Sequence, residues 1–234
     1  MDPDQQSKFA IHAACREGQT NVVESLLNAN PRLASRRDDD DRLPIHWAAS
    51  YNRLPIVDIL ANTRDFDVDA QDSAGWTPLM MAASLKNSDT VLDLLLNKGA
   101  DVNMKSRYTA LHFAASKNNL DVARKLIAQK ASARVKDKRG QLALHRATAA
   151  GNVPIVKLLL ENRSPINATD MDGSTALHHA VAEGHGDTAV LLLKAGAETD
   201  KRDQSGALAI DLAPDAKIRS FIERAAEEEG ISLA

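Results

Sequence analysis

Histidines are the residues of this 234-residue chain that most directly suggest catalysis or metal binding. Imidazole nitrogens bind zinc and act as general acids or bases near neutral pH. Five of the seven histidines, however, share one recurring position, directly after a leucine or isoleucine of a repeated motif. They are His12, His46, His112, His145 and His178. A position repeated five times indicates a structural role rather than one catalytic centre.

The remaining candidate groups for chemistry lack the neighbours that they would need. His178 and His179 are adjacent, so on a helix they point about 100° apart and form a poor chelating pair. His185 falls in a predicted turn, and Cys15 occupies a position suited to a small buried residue. The sequence contains no P-loop, no G-x-S-x-G elbow and no metalloprotease histidine pair. We therefore expect no enzymatic activity, no cofactor and no bound metal.

Composition and charge argue against nucleic-acid binding, membrane association and secretion. The net charge of -3 gives no global attraction to nucleic acid or to an anionic membrane. A single cysteine cannot form an internal disulfide, which fits a reducing compartment, the cytoplasm or the nucleus. Residues 1–9 have no apolar h-region, and no apolar run is long enough to cross a membrane. Neither secretion nor membrane insertion is expected.

The histidines belong to a motif that recurs along almost the whole chain. Its anchor residues are Ile11, Ile45, Leu79, Leu111, Leu144, Leu177 and Ile210. Successive anchors lie 34, 34, 32, 33, 33 and 33 residues apart. This period and copies such as Thr77-Pro78-Leu79 resemble the ankyrin repeat, whose signature is T-P-L-H-x-A. In that family the motif histidine bonds around its turn and to the neighbouring unit.

Each repeat is predicted to be two helices followed by a hairpin loop, here called a finger. A second stretch with helical spacing of apolar residues follows each anchor, and Gly99 and Gly196 come where a left-handed C-cap is favoured. Pro214 is expected in the first turn of the last helix, which would cap the stack. The fold class is thus all-α, an ankyrin-repeat solenoid of seven units, monomeric, with one domain at 5–229 and a short tail at 230–234.

Four aromatic residues are candidates for packing or for contact with a partner. Trp47 and Phe113 directly follow a motif histidine and are expected to pack between units. Trp76 and Tyr108 lie three residues before an anchor, where ankyrin-type binders commonly place contact residues. We therefore expect Trp76 and Tyr108 to contact a protein partner.

The charge of the fingers changes sign along the chain. The first finger, residues 36–42, has four consecutive aspartates and net charge -1, and the second has -3 from Asp67, Asp69 and Asp72. The third, with Asp101, Lys105 and Arg107, is +1. Four basic residues and Asp137 make the fourth +3, and the fifth returns to -2. Such alternation sets orientation and partner choice.

These patterns predict a protein-binding site on the fingers and inner helices. Its predicted contact residues are Asp39, Asp40, Asp41, Arg42, Asp72, Trp76, Arg107, Tyr108, Lys117, Lys138 and Arg139.

Several longer stretches resemble one family within the ankyrin proteins. They include residues 41–48, 72–79, 111–118 and 182–187. The family is the gankyrin-type assembly chaperones of the proteasome regulatory particle, and the chain is similar to their fungal counterparts. The resemblance implies binding to the C-terminal domain of one AAA-type ATPase subunit of the 19S base, which regulates docking to the 20S core sterically.

The resemblance also implies roles for particular residues. Arg42 and Lys117 match an arginine and a lysine that contact glutamates of the ATPase. An L-x-C-x-E element proposed to bind the retinoblastoma protein in animal members is replaced here by residues 177–183 without the cysteine, so that activity is not expected. The alternative is a generic ankyrin scaffold that binds a kinase or a transcription factor.

Overall fold

The computed structural model describes residues 9–104 and 106–233. Lys105, counted above in the third finger, and residues 5–8 of the predicted domain lie outside this part of the chain. The described residues contain α-helices and two short 3₁₀ helices, and they contain no β-strand beyond one isolated bridge between Arg202 and Leu208. The prediction of an all-α fold is confirmed.

The helices alternate between short inner helices, which carry the motif histidines except in the third repeat, where Met80 takes that position, and outer helices. The inner helices are α1 (Ala10–Glu17), α3 (Pro44–Ser50), α5 (Pro78–Ala83), α7 (Ala110–Ser116), α9 (Ala143–Ala149) and α11 (Ala176–Ala182). The outer helices are α2 (Thr20–Ala29), α4 (Leu54–Ala61), α6 (Asp89–Asn97), α8 (Leu120–Ala128), α10 (Val153–Glu161), α12 (Gly186–Lys194) and α13 (Ala216–Glu228). The 3₁₀ helices are η1 (Pro31–Ser35) and η2 (Ala209–Leu212).

Local sequence signals account for where these helices begin and end. Pro44 and Pro78 occupy the first turn of their helices, where no backbone N–H is needed. Gly99 and Gly196 adopt φ of +87° and +86° directly after the C-cap residues of outer helices, which confirms the predicted left-handed helix ends. Pro214 does not stand in the first turn of α13 as predicted. The helix begins at Ala216, because Asp215 is its N-cap and accepts from the backbone N–H of Ile218.

The chain forms two compact units, Met1–Ala110 and Leu111–Ala234. In the first unit, α3 packs against α1 and α5, and each of these inner helices packs against its own outer helix. In the second unit, α11 packs against α9, α12 and η2, while α12 packs against α13. The core of each unit consists of the alanines and aliphatic side chains on the facing sides of these helices. The single domain at 5–229 stays a prediction.

Backbone hydrogen bonds join neighbouring fingers near their tips. Within the first unit the N–H of Ser73 donates to the carbonyl of Asp40 at 2.9 Å. Within the second, Met171 donates to Arg139 at 2.9 Å and Gln204 to Asp172 at 3.0 Å. The fingers are therefore positioned by one another as well as by the helices beneath them.

Close backbone approach between fingers makes Gly173 sensitive to substitution. Gly173 has φ of +75°, and a Cβ there would lie 3.0 Å from the nitrogen of Gln204 and 3.2 Å from the Cα of Asp203. Gly206 occupies the equivalent turn with φ of +84°, but nothing lies within 4 Å of its added Cβ. Comparing substitutions at Gly173 and Gly206 therefore separates the free-energy cost of a left-handed backbone from the cost of steric crowding.

We expect Gly173→Ala to destabilise the protein more than Gly206→Ala does. Gly206→Ala should cost about 1–2 kcal/mol, because alanine tolerates left-handed φ poorly. Gly173→Ala should cost about 1–3 kcal/mol more, because its methyl group meets backbone that cannot rotate away. Urea unfolding of both variants measures the difference. If both variants lose the same free energy of unfolding, the fifth finger can move away from its neighbour at no energetic cost.

Candidate functional site

The motif histidines are buried and act as internal braces. In His46 the ring Nδ1 accepts from the backbone N–H of Leu43 at 3.0 Å, which places the proton on Nε2. Nε2–H then donates to the carbonyl of Ala70 in the next finger at 3.0 Å. His145 makes the same pair of bonds, to Leu142 and Ala168. His46 and His145 thus tie the start of their helices to a neighbouring finger, as the family resemblance implies.

Burial lowers the pKa of all five motif histidines, so each is held neutral. For His145, burial and the neighbouring His179 lower the pKa from about 6.5 to about 4. The pKa values of the other four, His12, His46, His112 and His178, are lowered mainly by burial. Cys15 is also fully buried, and burial raises the pKa of its thiol to about 12, which confirms a buried, unreactive thiol.

The histidine pKa shifts predict that the fold loses stability in mild acid. The unfolded chain binds more protons than the folded one between pH 6.5 and the lowered values, so stability is complete above about pH 6.5 and decreases as the pH falls. His145 alone should account for about 3 kcal/mol by pH 4. Urea unfolding between pH 7.5 and 4 tests this, and an unchanged midpoint across that range would contradict it.

A second set of braces consists of aspartates seven residues before an anchor. They are Asp38, Asp72, Asp137, Asp170 and Asp203. In each, Oδ1 accepts two backbone N–H groups of its own finger, two and four residues further on. Met104 takes this position in the third finger. Their constant distance from the anchor could have shown these residues, but among them only Asp72 was predicted to be functional, as a partner contact.

The second oxygen of most of these aspartates is bound by a side chain on or near the inner helices. Asp38 Oδ2 accepts from Trp47 Nε1 at 2.7 Å, and Asp137 Oδ2 accepts from Arg146 at 3.0 Å. Asp170 Oδ2 accepts from His179 Nε2 at 2.8 Å and from Gln141 Nε2 at 3.0 Å. In three repeats the residue directly after the motif histidine, Trp47, Arg146 or His179, therefore holds the finger of its own repeat.

Hydrogen bonds also set the ionisation of these carboxyl groups. Burial of Asp170 opposes ionisation, but bonds from Gln141, His179 and two backbone N–H groups outweigh it and lower its pKa. The same balance lowers the pKa of Asp38, where burial is outweighed by bonds from Trp47 and from the finger backbone. Both carboxylates stay ionised and fully bonded at neutral pH.

Asp72 was predicted to contact a partner, and the structure corrects this. Its side chain is only 1% exposed. Oδ1 accepts from the backbone N–H groups of Ala74 and Trp76, and Oδ2 accepts from Nε of Arg42 at 3.1 Å. Asp72 therefore shapes the second finger and orients Arg42 instead of presenting a carboxylate to a partner.

Trp47 was predicted to pack between units, and this is wrong in part. Its indole is only half-buried, because the N–H bonds to Asp38 and keeps the ring near the surface. The guanidinium of Arg42 lies over the ring at 5.2 Å and that of Arg16 at 6.0 Å. Tyr51 stacks on it with the centroids 6.3 Å apart.

The other predicted contact residues are accessible to different degrees. Arg42, Trp76 and Tyr108 are half-buried. Seven are exposed: Asp39, Asp40, Asp41, Arg107, Lys117, Lys138 and Arg139. Arg139 is paired with Asp172 at 3.0 Å, and this pair is exposed enough to contribute little. Arg42 lies in the first unit and Lys117 in the second.

No three histidine, cysteine, aspartate or glutamate side chains within residues 9–104 and 106–233 are grouped so that they could hold a metal ion. Over the same ranges, no helix is long and apolar enough to span a bilayer.

Comparison with curated proteins finds similarity to a proteasome protein. The chain is 37% identical over 141 residues to a Saccharomyces cerevisiae protein named "Probable 26S proteasome regulatory subunit p28", covering 58% of this chain and 62% of that protein. It is 35% identical over 133 residues to an ankyrin repeat-containing protein of Schizosaccharomyces pombe, covering 55% of each. The matches thus span less than two thirds of either relative. The similarity bears out the resemblance to the gankyrin type.

Human neurogenic locus notch homolog protein 1 is also similar, with 34% identity over 138 residues, but the match covers 5% of that protein. Among solved structures, the human ASB11 ankyrin repeat domain superposes with a TM-score of 0.82 at 20% identity, covering 96% of this chain and 98% of that one. The Bcl-3 ankyrin repeat domain superposes with a TM-score of 0.75 at 23% identity, covering 91% of this chain and 97% of that one. At these identities the superpositions show the fold alone.

The ankyrin-repeat family itself matches in three segments, residues 1–72, 64–137 and 111–203. Together with the repeat period and the histidine braces, these matches show that the chain belongs to the ankyrin-repeat family.

Proposed function

We propose that this protein is a non-enzymatic assembly chaperone of the proteasome regulatory particle, acting in the cytoplasm and nucleus. It would bind the C-terminal domain of one AAA-type ATPase subunit of the 19S base and hinder docking to the 20S core sterically. The observation that carries the proposal is the 37% identity to the yeast proteasome regulatory subunit. A fold built for protein interaction agrees with it.

The surface chemistry around Arg42 supports recognition of an acidic partner. Of the guanidinium nitrogens of Arg42, only Nε donates to Asp72. Among the described residues the terminal guanidinium nitrogens have no hydrogen-bond partner, so they can bind a carboxylate in bidentate fashion. Lys117 is exposed and its ammonium group likewise has no ion pair within the described ranges. Both residues are those that the family resemblance assigns to contacts with glutamates.

The proposal is tested by affinity purification of the tagged protein from cells, with quantitative mass spectrometry. We expect the ATPase subunits of the 19S base together with assembly intermediates, and no mature 26S particle. An Arg42→Gln/Lys117→Glu variant is the control, since it should lose these proteins. If the wild-type protein enriches kinases or transcription factors and no base ATPase, the alternative of a generic ankyrin scaffold replaces the proposal.

A further inference from the structure

Four side chains of the first unit form a surface that we call the aromatic shelf: Arg16, Arg42, Trp47 and Tyr51. Arg16 lies in the last turn of α1, Trp47 lies in α3, and Tyr51 is the C-cap of α3. Trp47 and Tyr51 stack with their planes 25° apart, and the two guanidinium groups lie over the indole. Tyr51 is 47% exposed, so one of its faces is open to solvent.

The shelf is held in place by bonds beneath it. Asp38 binds the indole N–H at 2.7 Å and also accepts two backbone N–H groups of the first finger. Asp72 holds Nε of Arg42. The aromatic ring and the guanidinium are therefore oriented before a partner arrives, which reduces the entropy that binding would cost.

The hydrogen-bonding capacity left over at the shelf comes mainly from donors. The carboxylates of Asp38 and Asp72 already bond to the finger backbone and to side chains. Arg42 keeps its terminal N–H groups, and within the described residues the only ion pair of Arg16 is with Glu17 at 3.4 Å, an exposed contact that contributes little. The other carboxylate oxygen of Glu17 accepts from Gln19 at 2.9 Å. Such a surface matches a partner that brings acceptors.

We propose that the aromatic shelf binds a protein segment in which an acidic side chain is followed closely by a bulky apolar or aromatic one. The carboxylate binds the guanidinium groups of Arg42 and Arg16, and the apolar side chain covers the open face of Tyr51. Tryptophan, tyrosine and arginine are the residue types that dominate binding energy at protein interfaces. The inference rests on the proposed function, since it specifies what that partner must present, and adds Arg16, Trp47 and Tyr51 to the site.

A nucleic acid strand could also stack on such a surface. The exposed carboxylates of Asp39, Asp40 and Asp41 at the adjoining finger tip oppose a continuous polyanion, however. Separate carboxylates on a folded partner avoid that repulsion. We therefore assign the shelf to a protein segment and make the oligonucleotide an arm of the test.

The first experiment is calorimetric titration with purified C-terminal domains of the base ATPases. Tyr51→Ala and Arg16→Gln are each expected to weaken binding about 10-fold or more. Val22→Ala, at an exposed apolar residue of α2 outside the shelf, is the matched control and should change binding less than about twofold. If a domain binds the wild-type protein and both shelf variants equally, the shelf assignment is overturned while the proposed function stands.

A second experiment decides the assignment even if no ATPase domain binds, in which case the proposed function fails. The indole N–H resonance of Trp47, identified by its loss in Trp47→Phe, is followed by NMR during titration with a capped peptide of two glutamates and a phenylalanine. Saturable shifts that vanish in Tyr51→Ala and Arg16→Gln support the shelf. Two control ligands are a peptide with lysines in place of the two glutamates, and oligothymidine. The absence of any shift, or an equal response to either control ligand, overturns the assignment of the shelf.

Discussion

Replacing Arg42 by glutamine and Lys117 by glutamate together is expected to abolish binding to the ATPase C-terminal domain, with a loss of at least about 1000-fold. Truncating one partner of a desolvated, hydrogen-bonded charge pair costs about 2–5 kcal/mol, so two such losses total about 4–10 kcal/mol and reach the 4 kcal/mol or so that 1000-fold requires. Titration calorimetry against the isolated domain measures the effect. A folded double variant that binds within tenfold of wild type would remove both residues from the site.

The structure dictates which substitution is used at Arg42. Because Arg42 Nε is bonded to the buried carboxylate of Asp72, Arg42→Glu would place two carboxylates together and should destabilise the fold by about 3–5 kcal/mol. Glutamine already fills the equivalent position in the fourth finger, where Gln141 Nε2 donates to Asp170 at 3.0 Å. Arg42→Gln can make the same bond to Asp72 and should cost about 1 kcal/mol or less. Thermal melting of both variants separates the loss of binding from the loss of folding.

Truncation after Ala207 is expected to abolish cooperative unfolding or cause aggregation. It removes η2 and α13, whose buried Ile210 and Ile222 cover the apolar side of α11 and α12. Each buried aliphatic side chain contributes about 1.5–3 kcal/mol, and leucines such as Leu192 would also lose their cover. The sum is comparable to the whole stability of a domain.

The matched control for this truncation removes only the last four residues. Their described hydrogen bonds are one from Ile231 N–H to Ala226 and one from Thr199 to the carbonyl of Ser232. This shorter truncation should leave a sharp transition. If the protein cut after Ala207 also melts sharply and stays monomeric by light scattering, α13 is not a cap.

The sequence by itself determined the fold, because an ankyrin repeat encodes its structure locally. Pro44 and Pro78 mark helix starts, Gly99 marks a helix end, and the anchors such as Leu79 mark the buried face. These signals recur about every 33 residues, so any one of them is checked by the others. Only the start of the last helix was placed wrongly, because Pro214 stands outside the repeat signature and Asp215 supplies the cap instead.

The candidate site was determined only in part by the sequence. Counting charges finger by finger treats every carboxylate as available, yet Asp72 is buried under Arg42 while Asp39 is exposed at the tip. Likewise, Trp47 follows a motif histidine and resembles a packed aromatic residue, but its bond to Asp38 turns it toward Arg42 and Tyr51. Whether a charged or aromatic side chain is free to bind depends on bonds between residues about 10 to 30 positions apart. The Arg42–Asp72 pair joins neighbouring repeats, so only the tertiary structure brings it together. Asp38 and Trp47 belong to one repeat, and their spacing of nine residues could have been recognised in the sequence.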